Sequence, residues 1–110
     1  MSSDALLLFG GESHRTFLGC LNCSEFDTNS VHNKFGDYGS KFSDKSIFNK
    51  FGDFGSPYSP YSACNSFADD PPVVVDNAGD YHGRLTLNRT LQVVDVPMIV
   101  AWLAGICERD

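Results

Sequence analysis

The middle of the chain repeats itself at a fixed offset of sixteen residues. Residues 30–40 align with residues 46–56, and a shorter third copy begins at Ser62 and keeps Asn65 and Phe67. A tandem repeat reports architecture, because each unit is a small structural element that buries its apolar face against the next unit. The repeat therefore constrains the fold of this chain more than its chemistry.

The units of the repeat predict short helical turns over residues 23–68. Equivalent positions carry residues that favour helix N-caps, namely Asp27, Ser43 and Ser59. Pro60 comes directly after the third of these, at the first helical position, where its missing N–H costs nothing. A glycine stands nine residues after each of the first two caps, where a left-handed C-cap would end a helix. A coil of short β-strands is the alternative. The spacing of the aromatic residues fits neither the period of an α-helix nor that of a β-strand.

Both flanks of the repeat region predict β-hairpins. Residues 5–22 hold two apolar runs separated by a Gly-Gly-Glu-Ser turn. Residues 73–94 hold a valine run, a polar turn and a strand with alternating leucines. We expect this last strand to extend from Tyr81 to Asn88, and a further strand to cover residues 91–94.

The last apolar segment predicts a helix over residues 97–107, with Pro97 at its start and Gly105 near its end. Apolar residues surround this helix almost completely, which favours burial of its second face in another chain. We therefore expect a homodimer or partner interface through Met98 and Trp102. Together these elements predict one small α+β domain over residues 1–110.

The order of the motifs resembles that of a known group of proteins. Residues 17–23, the tandem aromatic units, residues 71–76 and residues 81–86 succeed one another as in a group of short bacterial proteins and protein tails. That group carries aromatic-rich repeats between an N-terminal strand pair and a C-terminal hairpin. The resemblance covers residues 6–88 and implies the same architecture here, without a set of catalytic residues.

Charge and hydropathy exclude some classes of partner. The net charge of −6 argues against nucleic-acid binding, which depends on a basic face. The longest apolar run, about a dozen residues, is shorter than the roughly 20 that a bilayer-spanning helix needs. No export signal is visible at the N-terminus, so we expect a cytoplasmic protein. In that compartment, four cysteines favour thiols or metal ligands over disulfides.

Two of the cysteines form the sharpest chemical motif, Cys20-x-x-Cys23. Thiolates at this spacing can hold one Zn²⁺, with Cys64, Cys107 or His32 completing a tetrahedral site. A second pair at short spacing, which a strong zinc motif needs, is missing. Buried free cysteines that pack as small apolar side chains are the simpler interpretation. A thioredoxin-type redox pair would need the motif at a helix N-terminus after a strand, whereas Asn22 and Ser24 favour a turn here.

No nucleophile or metal-binding helix motif surrounds the three histidines, which argues against an enzyme. The repeat itself allows two interpretations. In one, Asn33, Asn49 and Asn65 bond backbone groups at equivalent turns while the aromatic rings form the core. In the other, the mixture of Tyr, Phe, Ser and Gly is a recognition surface. The candidate interaction residues are Tyr38, Phe54, Tyr58, Tyr61, Met98 and Trp102.

The sequence therefore predicts a non-catalytic protein-interaction module without a cofactor, such as a small acidic inhibitor or accessory protein that binds a partner protein. The alternative is a zinc- or thiol-dependent protein that uses Cys20 and Cys23.

Overall fold

Four antiparallel strands form one sheet in the order β2-β1-β3-β4. The structure, a computed structural model, describes residues 5–88, 93 and 97–107. Together with the C-terminal helix, the sheet gives the chain the α+β class that the sequence predicts. The elements are β1 (Leu6–Gly10), β2 (Thr16–Cys20), β3 (Val73–Asp76), β4 (Tyr81–Arg84) and α1 (Pro97–Cys107).

The two most apolar strands lie in the centre of the sheet. β1 pairs with β2 on one side and with β3 on the other, so that Leu8 lies opposite Val74. Both side chains are fully buried, as expected for short apolar runs that form central strands. A short 3₁₀ turn, Glu12–His14, joins β1 to β2. The pairing of β1 with β3 brings together segments from either end of the repeat region.

The repeat region is a chain of consecutive β-turns and not of short helices. A new turn begins at almost every third residue, so we call them three-residue turns. In the middle unit, the N–H of Ser46 donates to the carbonyl of Ser43 at 3.2 Å, and the N–H of Asn49 donates to that of Ser46 at 3.3 Å. The side chain of the residue that opens a turn also accepts a hydrogen bond from the backbone N–H two residues later. In the same unit, the Phe48 N–H donates to Ser46 Oγ at 3.0 Å. The expected helical turns are therefore wrong for residues 23–68.

The composition of the repeat explains why it forms turns and not helices. Ser, Asp and Asn hydrogen-bond nearby backbone groups in turns, and they restart a turn here at almost every third residue. The predicted caps Asp27, Ser43 and Ser59 do accept the N–H two residues later, at 2.8–3.2 Å. Pro60 takes the second position of its turn, where its fixed φ is favourable. The local hydrogen bond is thus the expected one, but the chain turns again instead of continuing as a helix.

Two glycines allow the chain of turns to double back on itself. A Cβ at Gly39 would collide with the carbonyl of Asn33, and a Cβ at Gly55 would collide with the equivalent carbonyl of Asn49. Five three-residue turns and this one additional glycine account for the sixteen-residue period. Only glycine fits this close approach of backbone to backbone.

The inner side of the repeat packs on the sheet and on the C-terminal helix. Equivalent residues of the three units are fully buried, namely Val31, Ile47 and Ala63. The first unit is joined to the edge of β2, because the Cys20 N–H donates to the Asn29 carbonyl at 2.7 Å. Leu103 of α1 is also fully buried, so the helix closes the same core.

The C-terminal strand pair is shorter than the sequence predicts. β4 ends at Arg84, whereas the alternating leucines predict a strand that reaches Asn88. The further strand expected over residues 91–94 lies outside the described residues, apart from Val93. Val93 pairs with Arg84 in an isolated parallel bridge.

Candidate functional site

Six aromatic side chains of the repeat point into solvent, with 85–99% of their surface exposed. We call them the outer aromatic set: Phe26, Phe35, Phe42, Phe51, Tyr58 and Phe67. They occupy two positions of the sixteen-residue unit, and each position carries an exposed ring in all three copies. Single exposed apolar residues are normal, but six large exposed rings at two repeated positions make this side of the repeat the candidate interaction surface.

The turn geometry determines which rings face outward. Each member of the set is the third residue of its turn, and its N–H is held by the side chain that opens the turn. Phe51, for example, donates to Asn49 Oδ1 at 3.0 Å. Phe54 is also a third residue, but it ends the unit and lies in the core. The repeat thus separates outward rings from inward rings by their place in the unit.

A cleft of about 550 Å³ lies where the middle of the repeat meets α1. We call it the repeat–helix cleft. Its volume is within the range of sites that bind small molecules or short peptide segments. It is lined by Lys41, Phe42, Ile47, Phe48, Asn49, Lys50, Phe51, Gly55, Pro57, Cys64, Ile106 and Cys107.

Among the described residues, the charged side chains that line the repeat–helix cleft are both lysines. Lys41 and Lys50 are exposed, and neither lies within 4.0 Å of a carboxylate among the described residues. The amide of Asn49 is already engaged, because Nδ2 donates to the Ser43 carbonyl at 3.1 Å and Oδ1 accepts from Phe51. The cleft therefore presents an aromatic surface and two ammonium groups to a ligand.

The predicted interaction residues divide into two groups. Tyr58 and Met98 are exposed, as an interaction surface requires. The other four pack inward: Phe54 is buried, and Tyr38, Tyr61 and Trp102 lie against the core.

The structure adds five outer rings and the two cleft lysines, none of which the sequence singles out as an interaction residue. The signal for those rings is the three-residue spacing of Ser, Asn, Asp and Gly, which marks each turn and its third residue.

Two of the aromatic residues that pack inward, Tyr38 and Trp102, make edge contacts with neighbouring rings. The Tyr38 ring lies 5.0 Å from that of Phe17, centroid to centroid. The Trp102 ring contacts His32 at 5.6 Å and Phe48 at 6.0 Å in the same manner. These contacts give Trp102 a structural role between α1 and the repeat region.

All four cysteines are paired as disulfides, Cys20 with Cys23 and Cys64 with Cys107. This differs from the expected thiols, because nothing in the sequence reports that the turn carrying Cys64 lies beside the end of α1. The zinc set of Cys20, Cys23, Cys64 and His32 stays a prediction for the reduced chain, since disulfide sulfurs are not thiolate ligands. His32 Nε2 lies 2.8 Å from the Leu21 carbonyl oxygen, within hydrogen-bond distance.

Disulfides also bear on the compartment. They form and persist in oxidising environments and are rare in the cytosol. The cytoplasmic location stays a prediction, and the two disulfides argue against it.

Metal-binding clusters and membrane-spanning helices are both absent from the described part of the chain. Over residues 5–88, 93 and 97–107, no group of three or more His, Cys, Asp or Glu side chains could hold a metal ion. Within the same residues, no helix has the length and apolarity needed to cross a membrane.

Asp76, at the end of β3, is a hydrogen-bonded carboxylate that does not line the cleft. Asp76 is almost fully buried, and its Oδ2 lies 2.9 Å from His82 Nε2. Its Oδ1 accepts the backbone N–H groups of Ala78 and Asp80, each at 2.9 Å. The His82 hydrogen bond, and after it that from Asp80, holds the pKa of Asp76 below its usual value of 3.8. Because its partners belong to the turn and to β4, this carboxylate ties the end of β3 to the rest of the hairpin.

Comparison with known protein families, with curated proteins and with solved structures returns no match.

Proposed function

We propose that this protein is a non-catalytic module that binds a partner protein through the outer aromatic set. The observation behind the proposal is the exposure of six large rings at two repeated positions. Burying one such ring in a partner contributes roughly 2 kcal/mol, so a few rings suffice for a specific complex. An inhibitor or accessory protein would act by covering part of that partner's surface.

The chemistry of the set favours a protein as the partner. Aromatic rings on turns rich in Ser, Gly and Asn resemble the composition of antibody paratopes, which combine rigid rings with adaptable polar groups. The net charge of −6 disfavours polyanions such as nucleic acids. The turns fix the backbone that carries the rings before binding, which lowers the entropic cost of association.

Site-specific photo-crosslinking tests this proposal. A photoreactive amino acid at position 35 or 67 should crosslink one protein in the cell that encodes this chain. The same group at positions 29 or 45, which are exposed third residues without aromatic rings, should not crosslink it. Crosslinks to glycan or lipid, or equal crosslinking from all four positions, would refute the proposal.

A binding measurement on the purified partner completes the test. Phe35→Ser combined with Phe67→Ser should weaken binding at least about tenfold, because two rings lose their contacts. The matched control, Asn29→Ser combined with Lys45→Ser, should leave binding unchanged. Both variants should melt like the parent chain, since all four side chains are exposed.

A homodimer through α1 stays a separate prediction. Met98 is 81% exposed, and Ala101 and Gly105 are also exposed. However, Trp102 and Leu103 pack inside the same chain. The free face of α1 is therefore narrower than the all-round apolar pattern suggests.

A further inference from the structure

We propose that the repeat–helix cleft binds an acidic peptide segment of the partner, one in which carboxylates flank an apolar side chain. This inference rests on the proposed function and names the chemistry of the segment that the module recognises. Two features support it, namely the pair of lysines without a carboxylate partner among the described residues and the apolar residues that share the lining with them.

The charge pattern selects carboxylates. All four lysines of the chain lie in the repeat region, at positions 34, 41, 45 and 50. Two of them, Lys41 and Lys50, line the cleft, whereas no Asp or Glu does so among the described residues. A ligand carboxylate near either ammonium group gains a charge-assisted hydrogen bond.

The rest of the lining selects an apolar side chain between those carboxylates. Phe42, Phe48 and Phe51 contribute rings, and Ile106 and the Cys64–Cys107 disulfide contribute further apolar surface. Among the described residues, Asn49 supplies the only side-chain amide of the lining, and this amide is already hydrogen-bonded within the repeat. An inserted Leu or Phe would bury its surface there without leaving that amide unpaired.

The whole-molecule charge limits the ligand to a short acidic segment. The net charge of −6 repels an extended polyanion over its length. At physiological salt, charges further away than about 8 Å are largely screened, so a short segment mainly meets the nearby lysines. This favours a peptide with a few carboxylates over a nucleic acid or an anionic membrane surface.

The cleft also adjoins the outer aromatic set, because Phe42 and Phe51 belong to both. A partner that covers the outer rings would thus place one of its own loops at the cleft. The outer set would supply contact area and the cleft would supply selectivity for charge.

Fluorescence anisotropy with a synthetic peptide tests the inference. The probe is a short, labelled, end-capped peptide in which glutamates flank a Leu-Phe pair, and its matched control has glutamine in place of each glutamate. The acidic peptide should bind more tightly, and its affinity should fall as salt is raised. Equal affinity for both peptides would overturn the inference.

Matched lysine variants locate the site. Lys41→Gln combined with Lys50→Gln should weaken binding of the acidic peptide about tenfold. Lys34→Gln combined with Lys45→Gln removes the same charge outside the cleft lining and should have little effect. An equal loss from both double variants would show that the attraction is unspecific and would overturn the site. Tighter binding of single-stranded DNA or of anionic lipid vesicles than of the peptide would also overturn it.

The two proposals fail separately. Phe35→Ser combined with Phe67→Ser leaves every cleft residue in place, so it should not alter binding of the peptide. If the peptide does not bind while these substitutions still abolish binding of the crosslinked partner, only the cleft inference is wrong. If the peptide binds but no protein crosslinks at the outer rings, the proposed function is wrong.

Discussion

Single asparagines hold the turns of the repeat together, and their burial differs between equivalent positions. Asn49 is 8% exposed, and its amide both donates to the Ser43 carbonyl and accepts from the Phe51 N–H. Asn33 makes the equivalent bonds in a more exposed setting, with a longer distance of 3.3 Å to the Asp27 carbonyl. Loss of a hydrogen bond costs more where the abandoned partner is shielded from water.

We therefore expect Asn49→Ala to lower the free energy of unfolding by about 2 kcal/mol, and Asn33→Ala to lower it by less. Denaturant titration of the two variants beside the parent chain gives both values. Equal losses would mean that water does not reach Asn33 more easily than Asn49, contrary to their exposure.

At the same scale, Asp76 should make stability depend on pH in the acid range. Its pKa is lowered in the folded chain, so its contribution is present above the ordinary value and is lost as the pH falls through the lowered one. Between about pH 5 and pH 3, the parent chain should lose stability more steeply than an Asp76→Asn variant. Denaturant titrations at several pH values measure the two slopes, with Asp80→Asn as the control in the same turn. Parallel slopes for the parent chain and Asp76→Asn would contradict the assignment.

Residue chemistry is predictable from the sequence where it is local. One of the two interpretations of the repeat has Asn33, Asn49 and Asn65 bond backbone groups at equivalent turns, and all three side chains make such bonds. The expectation that the repeat's rings form the core is wrong for the outer aromatic set. Whether a ring faces in or out depends on the position of its turn within the sixteen-residue unit. This position can be assigned only once the three-residue spacing of the turns is recognised.

At the scale of elements, local signals identify the strands and the helix but not their arrangement. β1 and β3 are more than sixty residues apart in sequence, and no local pattern reports that they pair. The sequence predicts helices for the repeat because a helix N-cap and a Ser, Asp or Asn turn use the same hydrogen bond. A second Ser, Asp or Asn three positions after the first is the signal that distinguishes a run of turns from a helix.

The two disulfides should differ in how much they stabilise these elements. Cys64–Cys107 spans 43 residues and ties α1 to the repeat, whereas Cys20–Cys23 spans 3 residues. The chain-entropy estimate gives about 4 kcal/mol for the long loop and about 2 kcal/mol for the short one. Replacing both cysteines of a pair by alanine should thus cost more for Cys64 and Cys107, as measured by denaturant titration. A larger loss from the Cys20 and Cys23 variant would contradict this order.

At the scale of the whole molecule, charge is distributed unevenly along the chain. The repeat region holds every lysine, whereas acidic residues outnumber the arginines in the remaining chain. The cationic repeat–helix cleft therefore belongs to a molecule whose net charge is negative. A negative net charge disfavours association with like-charged molecules, while the two lysines present a local site of opposite sign.

The oxidation state of the whole chain distinguishes the binding module from the zinc- or thiol-dependent alternative. Two disulfides make the oxidised chain lighter than the reduced chain by four hydrogen atoms. We expect native mass spectrometry of the purified protein to give this lighter mass without metal, and the same mass after treatment with a chelator. The control is the chain reduced under denaturing conditions and refolded with zinc. A zinc adduct on the untreated protein that a chelator removes, with Cys20→Ser abolishing it, would contradict the disulfide assignment of that pair. Loss of the adduct on Cys20→Ser would also make Cys20 a zinc ligand, and its removal should then lower the stability of the fold, because binding energy at a structural zinc site is folding energy.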